Sequence, residues 1–279
     1  MYPKISIVTP SYNQGQFLEQ TILSILNQHY PNLEYIIIDG GSTDNAVDII
    51  KKYEKHLTYW VTEPDQGQTH AINKGFKMAT GEIVNWVNSD DLLEPDSLLT
   101  LAHAMEKDPN ADVYFGDYRA IDGMNNFIYV RKSAPYHFRT LLWGRQLSCQ
   151  PAVFFRCRLL ERFGYLDQNK NFCMDTEFWI RIASNGVKFR QIKTPIGITR
   201  VHIDAKTTRL QQQLHNEHKE IVWKYNALKR FTQGSKVENA YFLMANRFWR
   251  IMSAVNRMIF RKDFSFLQAS KALTALNRE

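Results

Sequence analysis

Two adjacent carboxylates, Asp90 and Asp91, follow an apolar segment in which β-branched and aromatic residues dominate. That segment, residues 82–87, has the composition of a buried strand, and a helix is predicted to open near Asp96. Adjacent carboxylates repel each other unless water or a cation neutralises them. Because Mg²⁺ and Mn²⁺ prefer a few carboxylates together with diphosphate oxygens, this pair could bind a metal–diphosphate complex. The alternative is a solvated Asp-Asp turn that caps the next helix.

Polar residues also follow three earlier strand-like segments, and helical stretches separate these segments from one another. They are Thr9 and Tyr12 after the first segment, Asp39 after the second and Asp65 after the third. Strand–helix alternation at this spacing predicts an α/β fold with a parallel sheet and helices on both faces. Since the carboxyl ends of parallel strands share one edge, the polar residues should outline a nucleotide pocket there.

Five segments carry a resemblance to a known family and keep the family's order within residues 4–207. They are SIVTPSYNQGQFLEQTILSILNQ, IIIDGGSTD, EPDQGQTHAINKGFKMATGEIVNWVNSDD, QPAVFFRCRLLERFGYLD and CMDTEFWIRIASNG. The sequence resembles the inverting family 2 glycosyltransferases of the GT-A fold, of the bacterial stand-alone type that acts on polysaccharides or lipid-linked glycans. The resemblance implies a Rossmann-like, mostly parallel central sheet, a nucleotide-sugar donor, a Mn²⁺ or Mg²⁺ ion and one catalytic carboxylate.

The same resemblance implies which residues hold the donor and the metal. The positions for base and ribose are Thr9, Pro10, Tyr12 and Asp39, and those flanking the diphosphate are Asp65, Gln66, Gly67 and Asn73. Asn88, Ser89 and Asp90 complete the predicted donor site, and Asp90, Asp91 and His202 are the predicted metal ligands. Asn88 replaces the first Asp of the family's Asp-x-Asp motif, so weaker metal affinity is expected.

Asp175 matches the family's catalytic base and opens a predicted helix. An acceptor hydroxyl that attacks the anomeric carbon must lose its proton, and one carboxylate close to that hydroxyl can accept it. Glu177 is the second candidate for the base, and Glu177 and Trp179 are predicted to contact the acceptor. Met174 replaces the Glu that more often precedes this Asp, which removes a like charge. The alternative for Asp175 is a first-turn carboxylate stabilised by the helix dipole.

An R-x-H…K-T pattern follows the predicted catalytic helix. In the family this segment comes at the same place, and its His can bind the metal or the diphosphate. His202 is therefore a predicted ligand, since imidazole beside a carboxylate suits Mn²⁺. Lys206 is a weaker candidate for a diphosphate contact.

The length of 279 residues allows one large α/β domain with an appendage. The predicted domains are a catalytic domain, 1–207, with a nucleotide-sugar half, 1–110, and an acceptor and catalytic half, 111–207, followed by a helical extension, 208–279. Three cysteines without C-x-x-C spacing indicate neither a disulfide framework nor a zinc site. With the first strand predicted close to Met1 and with no long apolar run, a cytoplasmic location is expected.

The positive charge is concentrated near the C-terminus. Residues 224–279 hold 11 Lys and Arg against 3 Asp and Glu, so the whole-chain charge of +7 leaves −1 for the rest. A helix over 240–262 would carry a basic stripe and a broad apolar face. That face could pack on the catalytic domain or on a second subunit as a homodimer, or it could lie on the inner face of the cell membrane. Nucleic-acid binding is not expected, because no recognition motif is present.

The leading functional hypothesis is a non-processive, inverting, metal-dependent hexosyltransferase of surface polysaccharide synthesis. It would move a sugar from a UDP-sugar to a glycan or lipid-linked glycan, and the sequence lacks the Q-x-x-R-W motif of processive synthases. A related nucleotidyltransferase would need a basic glycine-rich loop after the first strand, where residues 9–15 hold no Lys or Arg. A weakly active sugar-nucleotide-binding module is suggested only by Asn88. No G-x-G-x-x-G follows a strand, which excludes a dinucleotide-dependent oxidoreductase.

Overall fold

The computed structural model describes residues 2–133, 135–136, 141, 147–203, 205 and 211–225. In this part of the chain a single central sheet carries the strands, and helices cover it. The strands are β1 (Ile5–Ser11), β2 (Leu33–Asp39), β3 (Tyr59–Thr62), β4 (Ile83–Trp86), β5 (Leu92–Leu93), β6 (Val113–Asp122), β7 (Phe127–Arg131), β8 (Val153–Arg156) and β9 (Phe189–Val201). They pair in the order β3-β2-β1-β4-β8-β6-β9-β5, and β7 pairs with β6.

The first half of the sheet is parallel, as the strand–helix alternation predicts. β1 lies between β2 and β4, β3 pairs with β2, and all three pairings are parallel. Every residue of β1 and β4 is buried, which is typical of strands with both faces covered. The carboxyl ends of these strands therefore meet at one edge of the sheet.

The second half is mixed, so the predicted mostly parallel sheet is correct only for the first four strands. β8 runs antiparallel to both β4 and β6, and β5 runs antiparallel to β9. β6 and β7 form an antiparallel hairpin, in whose turn Asp122 accepts hydrogen bonds from the backbone N–H groups of Met124 and Asn126. Among the described strands of this half, β6 and β9 form the one parallel pair.

The helices that separate the first strands, and the helices near Asp96 and Asp175, lie where the sequence predicts them. The described helices are α1 (Gly15–Leu26), α2 (Ala46–Tyr53), α3 (Gln68–Met78), α4 (Ser97–Lys107), α5 (Arg158–Phe163), α6 (Met174–Ala183) and α7 (Gln211–Tyr225). α3 approaches β1 closely at Gly75, where an added Cβ would lie 2.3 Å from Cγ1 of Val8. The main core includes the apolar side of α1 and residues of β1 and β2.

Contacts divide the chain into two compact units, Met1–Val222 and Trp223–Glu279. The first unit extends past residue 207, where the sequence predicts a boundary, and includes the buried Ile221 and Val222 of α7. The predicted basic helix over 240–262 lies outside the described residues, as does Lys206. Among the residues described, no helix combines the length and the apolar character needed to cross a membrane.

Candidate active site

The loop after β2 is organised by Asp39, whose side chain is 0% exposed. Its Oδ1 accepts hydrogen bonds from the backbone N–H groups of Gly41 and Ser42 and from the Thr62 hydroxyl, at 3.1, 2.8 and 2.7 Å. Its Oδ2 accepts a fourth from the Ser42 hydroxyl at 2.6 Å. Asp39 therefore shapes this loop from within, and its carboxylate does not face solvent as a base or ribose contact would require.

The loop before α3 lies against the Asp39 loop. Its Asp65 accepts a hydrogen bond from the backbone N–H of Gly67 at 2.7 Å. An added Cβ at Gly40 would lie 2.7 Å from Oδ2 of Asp65, so glycine at position 40 allows the two loops to meet. Gly67 has φ +105°, a conformation that favours glycine, and Gln66 and Gly67 are both exposed. The two predicted donor loops thus lie side by side at the carboxyl edge of the sheet.

Three predicted base and ribose contacts lie at the end of β1, and only one of them is exposed. Tyr12 is 61% exposed, so its ring can stack on a planar base. The Thr9 hydroxyl lies 3.1 Å from the Tyr35 hydroxyl and is fully buried, and Pro10 is buried as well. Because both side chains are buried, any contact of Thr9 and Pro10 with the base or ribose would have to come from their backbone.

Asn73 was also predicted near the diphosphate, and the structure gives it a different role. It is 3% exposed, its Nδ2 donates to the backbone carbonyl of Leu166, and its Oδ1 accepts from the Leu166 N–H, at 2.8 and 3.0 Å. Both ends of the amide are thus used to attach α3 to the segment that follows α5.

The turn after β4 directs its two carboxylates in different directions. Asp91 is 6% exposed, and its Oδ1 accepts from the backbone N–H of Arg200 at 3.1 Å. The Thr21 hydroxyl donates to the backbone carbonyls of Ser89 and Asp91, and Ser89 is also buried. Burial, together with the neighbouring Asp90 carboxylate, raises the pKa of Asp91 above its ordinary value. The buried Asp91 side chain stabilises the turn from inside, which contradicts the predicted role of Asp91 as a metal ligand.

Asn88 joins the turn to the first residue of α3. Its Nδ2 donates to Oδ2 of Asp91 at 3.0 Å, and its Oδ1 accepts from Nε2 of Gln68 at 2.8 Å. An aspartate at position 88 would place a second negative charge against the buried Asp91. The amide avoids this repulsion, which gives a physical reason for the departure from the Asp-x-Asp motif.

Asp90 and His202 form a pair at the ends of β4 and β9. His202 Nε2 lies 3.0 Å from Oδ2 of Asp90, and their side chains are 7% and 21% exposed. The His202 ring packs on Phe17 with ring centroids 4.8 Å apart. The structure thus brings together two of the three predicted metal ligands.

Arg200 supports this pair and was not recognised in the sequence as a site residue. It is 4% exposed, and its guanidinium donates to the Asp90 carbonyl at 2.9 Å, to Gln20 at 2.8 Å and to Asn125 at 2.6 Å. Residues two apart in a strand lie on the same face. The R-x-H spacing therefore indicates that Arg200 and His202 approach Asp90 from the same side.

These two side chains fit a divalent cation only if a bound substrate supplies the remaining metal ligands. Asp90 and His202 offer one carboxylate and one imidazole, which suit Mn²⁺ or Mg²⁺. Over the described ranges no group of three or more His, Cys, Asp or Glu side chains could hold a metal ion by itself. A cation at this pair would need diphosphate oxygens and water as its other ligands.

Asp175 lies in the first turn of α6, whose face packs against the end of β4. Trp179, one turn further along α6, stacks on Trp86 with ring centroids 6.2 Å apart. Residues four apart share a helix face, so Asp175 lies on the side of α6 that faces this strand end. The carboxyl is half-buried and accepts from the Thr176 N–H at 2.6 Å. Burial raises the pKa of Asp175, which makes its carboxylate a stronger base than that of an exposed aspartate.

The two predicted acceptor contacts are buried, so neither can serve in that role. Trp179 is 4% exposed and packs on Phe155 and Phe178 as well as on Trp86. Glu177 is 1% exposed and forms an ion pair with Arg181 at 2.9 Å. Because Arg181 also donates to backbone carbonyls of residues 163–165, Glu177 is part of a structural network at the end of α5.

Comparison with known proteins identifies relatives of this chain. Residues 6–183 match the protein family described as "Glycosyl transferase family 2". An uncharacterized glycosyltransferase of Mycobacterium tuberculosis is 32% identical over 185 residues, which cover 65% of this chain and 69% of that protein. TuaG of Bacillus subtilis, named as a candidate teichuronic acid biosynthesis glycosyltransferase, is 35% identical over 142 residues, or 48% of this chain and 56% of TuaG.

Two solved structures resemble the fold. The crystal structure of Staphylococcus aureus TarS 1-349 with UDP-GlcNAc has a TM-score of 0.63 at 17% identity, covering 87% of this chain and 79% of that one. The mannosyltransferase PcManGT of Pyrobaculum calidifontis, with GDP-Man and Mn²⁺, has a TM-score of 0.60 at 21% identity, covering 99% and 80%. These similarities confirm the predicted GT-A fold. Since the family match spans more than half of its length, the chain belongs to glycosyl transferase family 2.

Proposed function

We propose that this glycosyltransferase moves a sugar from a nucleotide-sugar donor to a hydroxyl of a glycan or lipid-linked glycan, with inversion at the anomeric carbon. The observation that carries the proposal is the convergence at one edge of the sheet. The Asp39 and Asp65 loops, the Asp90–His202 pair and the Asp175 helix all meet the carboxyl ends of the parallel strands.

The nucleotide is proposed to bind over the Asp39 and Asp65 loops, with its base on the exposed ring of Tyr12. A UDP-sugar is the proposed donor, because the TarS structure that shares this fold holds UDP-GlcNAc. The GDP-Man of the second neighbour makes guanosine the alternative. The diphosphate would then extend past Asp65, Gln66 and Gly67 toward Asp90.

Asp90 and His202 would hold a Mn²⁺ or Mg²⁺ ion, as supported by the Mn²⁺ in the PcManGT structure. When bound, such an ion neutralises the charge that develops on the leaving diphosphate, an effect of several kcal/mol. Arg200 fixes the backbone of Asp90, and the inward Asp91 and Asn88 hold the turn in place.

Asp175 is proposed as the general base. The acceptor hydroxyl attacks the anomeric carbon from the face opposite the diphosphate, the bond to the diphosphate oxygen breaks, and the hydroxyl proton passes to Asp175. The leaving diphosphate needs no proton of its own, so one carboxylate suffices. Inverting hydrolysis differs, because it uses two.

The acceptor is proposed to be a growing surface polysaccharide or its lipid-linked precursor, a proposal that the name of TuaG supports. The basic segment 224–279 is the ground for two further proposals, a peripheral position at the inner face of the cell membrane and a homodimer. Neither rests on the described residues, and nucleic acid is not among the proposed partners.

A panel of nucleotide sugars tests this proposal before any acceptor is known. With Mn²⁺ present and no acceptor, we expect slow release of UDP from one UDP-sugar, because water can replace the acceptor hydroxyl. Release should be much slower from the GDP-, dTDP- and CMP-sugars. The measurement is coupled detection of free nucleotide, with each nucleotide sugar incubated without enzyme as the blank. Failure of every sugar nucleotide to be bound or hydrolysed would contradict the proposed function.

A further inference from the structure

A carboxylate from outside the family match covers the start of the helix that carries Asp175. Glu217 of α7 lies beyond residues 6–183, which match the family. Its Oε1 accepts from the backbone N–H of Asn171 at 2.7 Å, and its Oε2 accepts from those of Phe172 and Cys173 at 2.7 and 2.6 Å. One side chain therefore satisfies three consecutive donors immediately before α6.

The segment before α6 is held from two sides. The Lys170 ammonium forms an ion pair with Glu220, also of α7, at 3.0 Å. The hydroxyl of Thr69 in α3 donates to the Lys170 carbonyl at 3.0 Å. Because α3 begins beside the Asp65 loop, the segment connects the donor side of the site to α7. Asp175 follows this segment within a few residues, so its position depends on how the segment is fixed.

We propose that Glu217 is a positioning residue for Asp175. Glu217 fixes where the Asp175 carboxylate lies and contributes to the charge that surrounds it. This inference rests on the proposed role of Asp175 as the base. Glu217 acts through the backbone of residues 171–173, and these contacts give it no contact with the reacting atoms. The role explains why a segment beyond the family match is folded against the catalytic helix.

The charges around Asp175 fix the direction of the expected effect. Burial is the main cause of its raised pKa, and the negative charge of Glu217 raises it further. Cys173 is neutral, because burial and the nearby carboxylates raise the pKa of its thiol to about 12. Lys170, the nearby cation, is paired with Glu220. Neutralising Glu217 should therefore lower the pKa of Asp175. Backbone N–H groups that lose Glu217 as their acceptor would also stabilise the Asp175 carboxylate, which lowers the same pKa.

The test compares Glu217→Gln with Glu220→Gln in the full chain. Glu217→Gln removes the charge and replaces one acceptor oxygen with an NH₂ group, so at least one of the three hydrogen bonds is lost. As expected when a reacting group is misplaced, kcat should fall about 10- to 100-fold. The KM for the nucleotide-sugar donor should stay unchanged. In the pH profile of kcat, the fall on the acid side (the acid limb) should move to lower pH. Glu220→Gln makes the same chemical change one turn away, where it removes only the exposed ion pair with Lys170, so kcat should fall much less than in Glu217→Gln. An equal fall in the two variants would overturn the inference.

Two further variants separate the possible outcomes. Glu217→Asp keeps the charge on a shorter side chain, so the acid limb should stay where it is in the parent while kcat falls less than in Glu217→Gln. If Glu217→Gln does not fold, the acid limb and kcat of Glu217→Asp decide. A lower melting temperature with unchanged kcat and acid limb would overturn the inference, since the role would then be purely structural. If Asp175→Asn is inactive and Glu217→Gln is normal, only this inference fails; if Asp175→Asn is active, the proposed base fails.

Discussion

Asp175→Asn is expected to lower kcat by about 10²- to 10⁴-fold, the range typical for loss of a general base. The amide keeps the shape of the side chain and can still accept from the Thr176 N–H, but it cannot take the proton of the acceptor hydroxyl. Donor affinity should be unchanged, because the nucleotide is proposed to bind at the Asp39 and Asp65 loops. Steady-state kinetics and calorimetric titration of the nucleotide measure the two quantities.

Glu177→Gln is the matched control for Asp175→Asn, since it makes the same change two residues along α6. It breaks a buried ion pair with Arg181, which costs about 3 kcal/mol of stability. Its melting temperature should fall while kcat per folded molecule is retained. The opposite pattern, an active Asp175→Asn and an inactive folded Glu177→Gln, would show that the base lies two residues further along.

The pH dependence of the parent enzyme follows from the same side chain. The base works as a carboxylate, so kcat falls on the acid side as Asp175 is protonated. Because burial raises its pKa, this acid limb should lie at higher pH than an exposed aspartate would give.

Asp90→Ala is expected to reduce transfer by about 10³-fold, because the cation is proposed to contribute several kcal/mol to stabilising the leaving diphosphate. Chelation of the parent enzyme with EDTA should have a similar effect, and added Mn²⁺ or Mg²⁺ should restore the rate. Asn88→Ala is the comparison within the same turn. It removes hydrogen bonds to Asp91 and Gln68 but no charge, so its loss should be nearer tenfold. Full activity of the parent enzyme in excess EDTA would refute the metal-assisted mechanism.

The positions of the strand ends were predictable from the sequence, and the directions of individual side chains were not. Asp39, Asp65, Asp90 and His202 lie where the strand–helix alternation and the family motifs predict. Motif position, however, does not report which side of a turn a side chain takes. Asp90 and Asp91 are adjacent, but one pairs with His202 and the other is buried beneath the turn.

Sequence motifs also could not predict which polar side chains form hydrogen bonds with distant backbone groups. Asn73 and Leu166 are far apart in the sequence, as are Glu217 and the start of α6, and neither pairing leaves a local pattern. Glu177 was predicted as the second candidate for the base and as an acceptor contact, but it pairs with Arg181 one turn later and is buried. Long-range contacts of this kind depend on tertiary packing, which propensity and periodicity do not encode.

The anomeric configuration of the product tests the central claim, a single displacement assisted by one base, most directly. Proton NMR would follow the anomeric signals of donor and product from the first turnovers, before any mutarotation of released sugar. The mechanism proposed for Asp175 predicts a product of inverted configuration relative to the donor sugar. A product of retained configuration would contradict it, because a single displacement from the face opposite the diphosphate must invert the anomeric carbon.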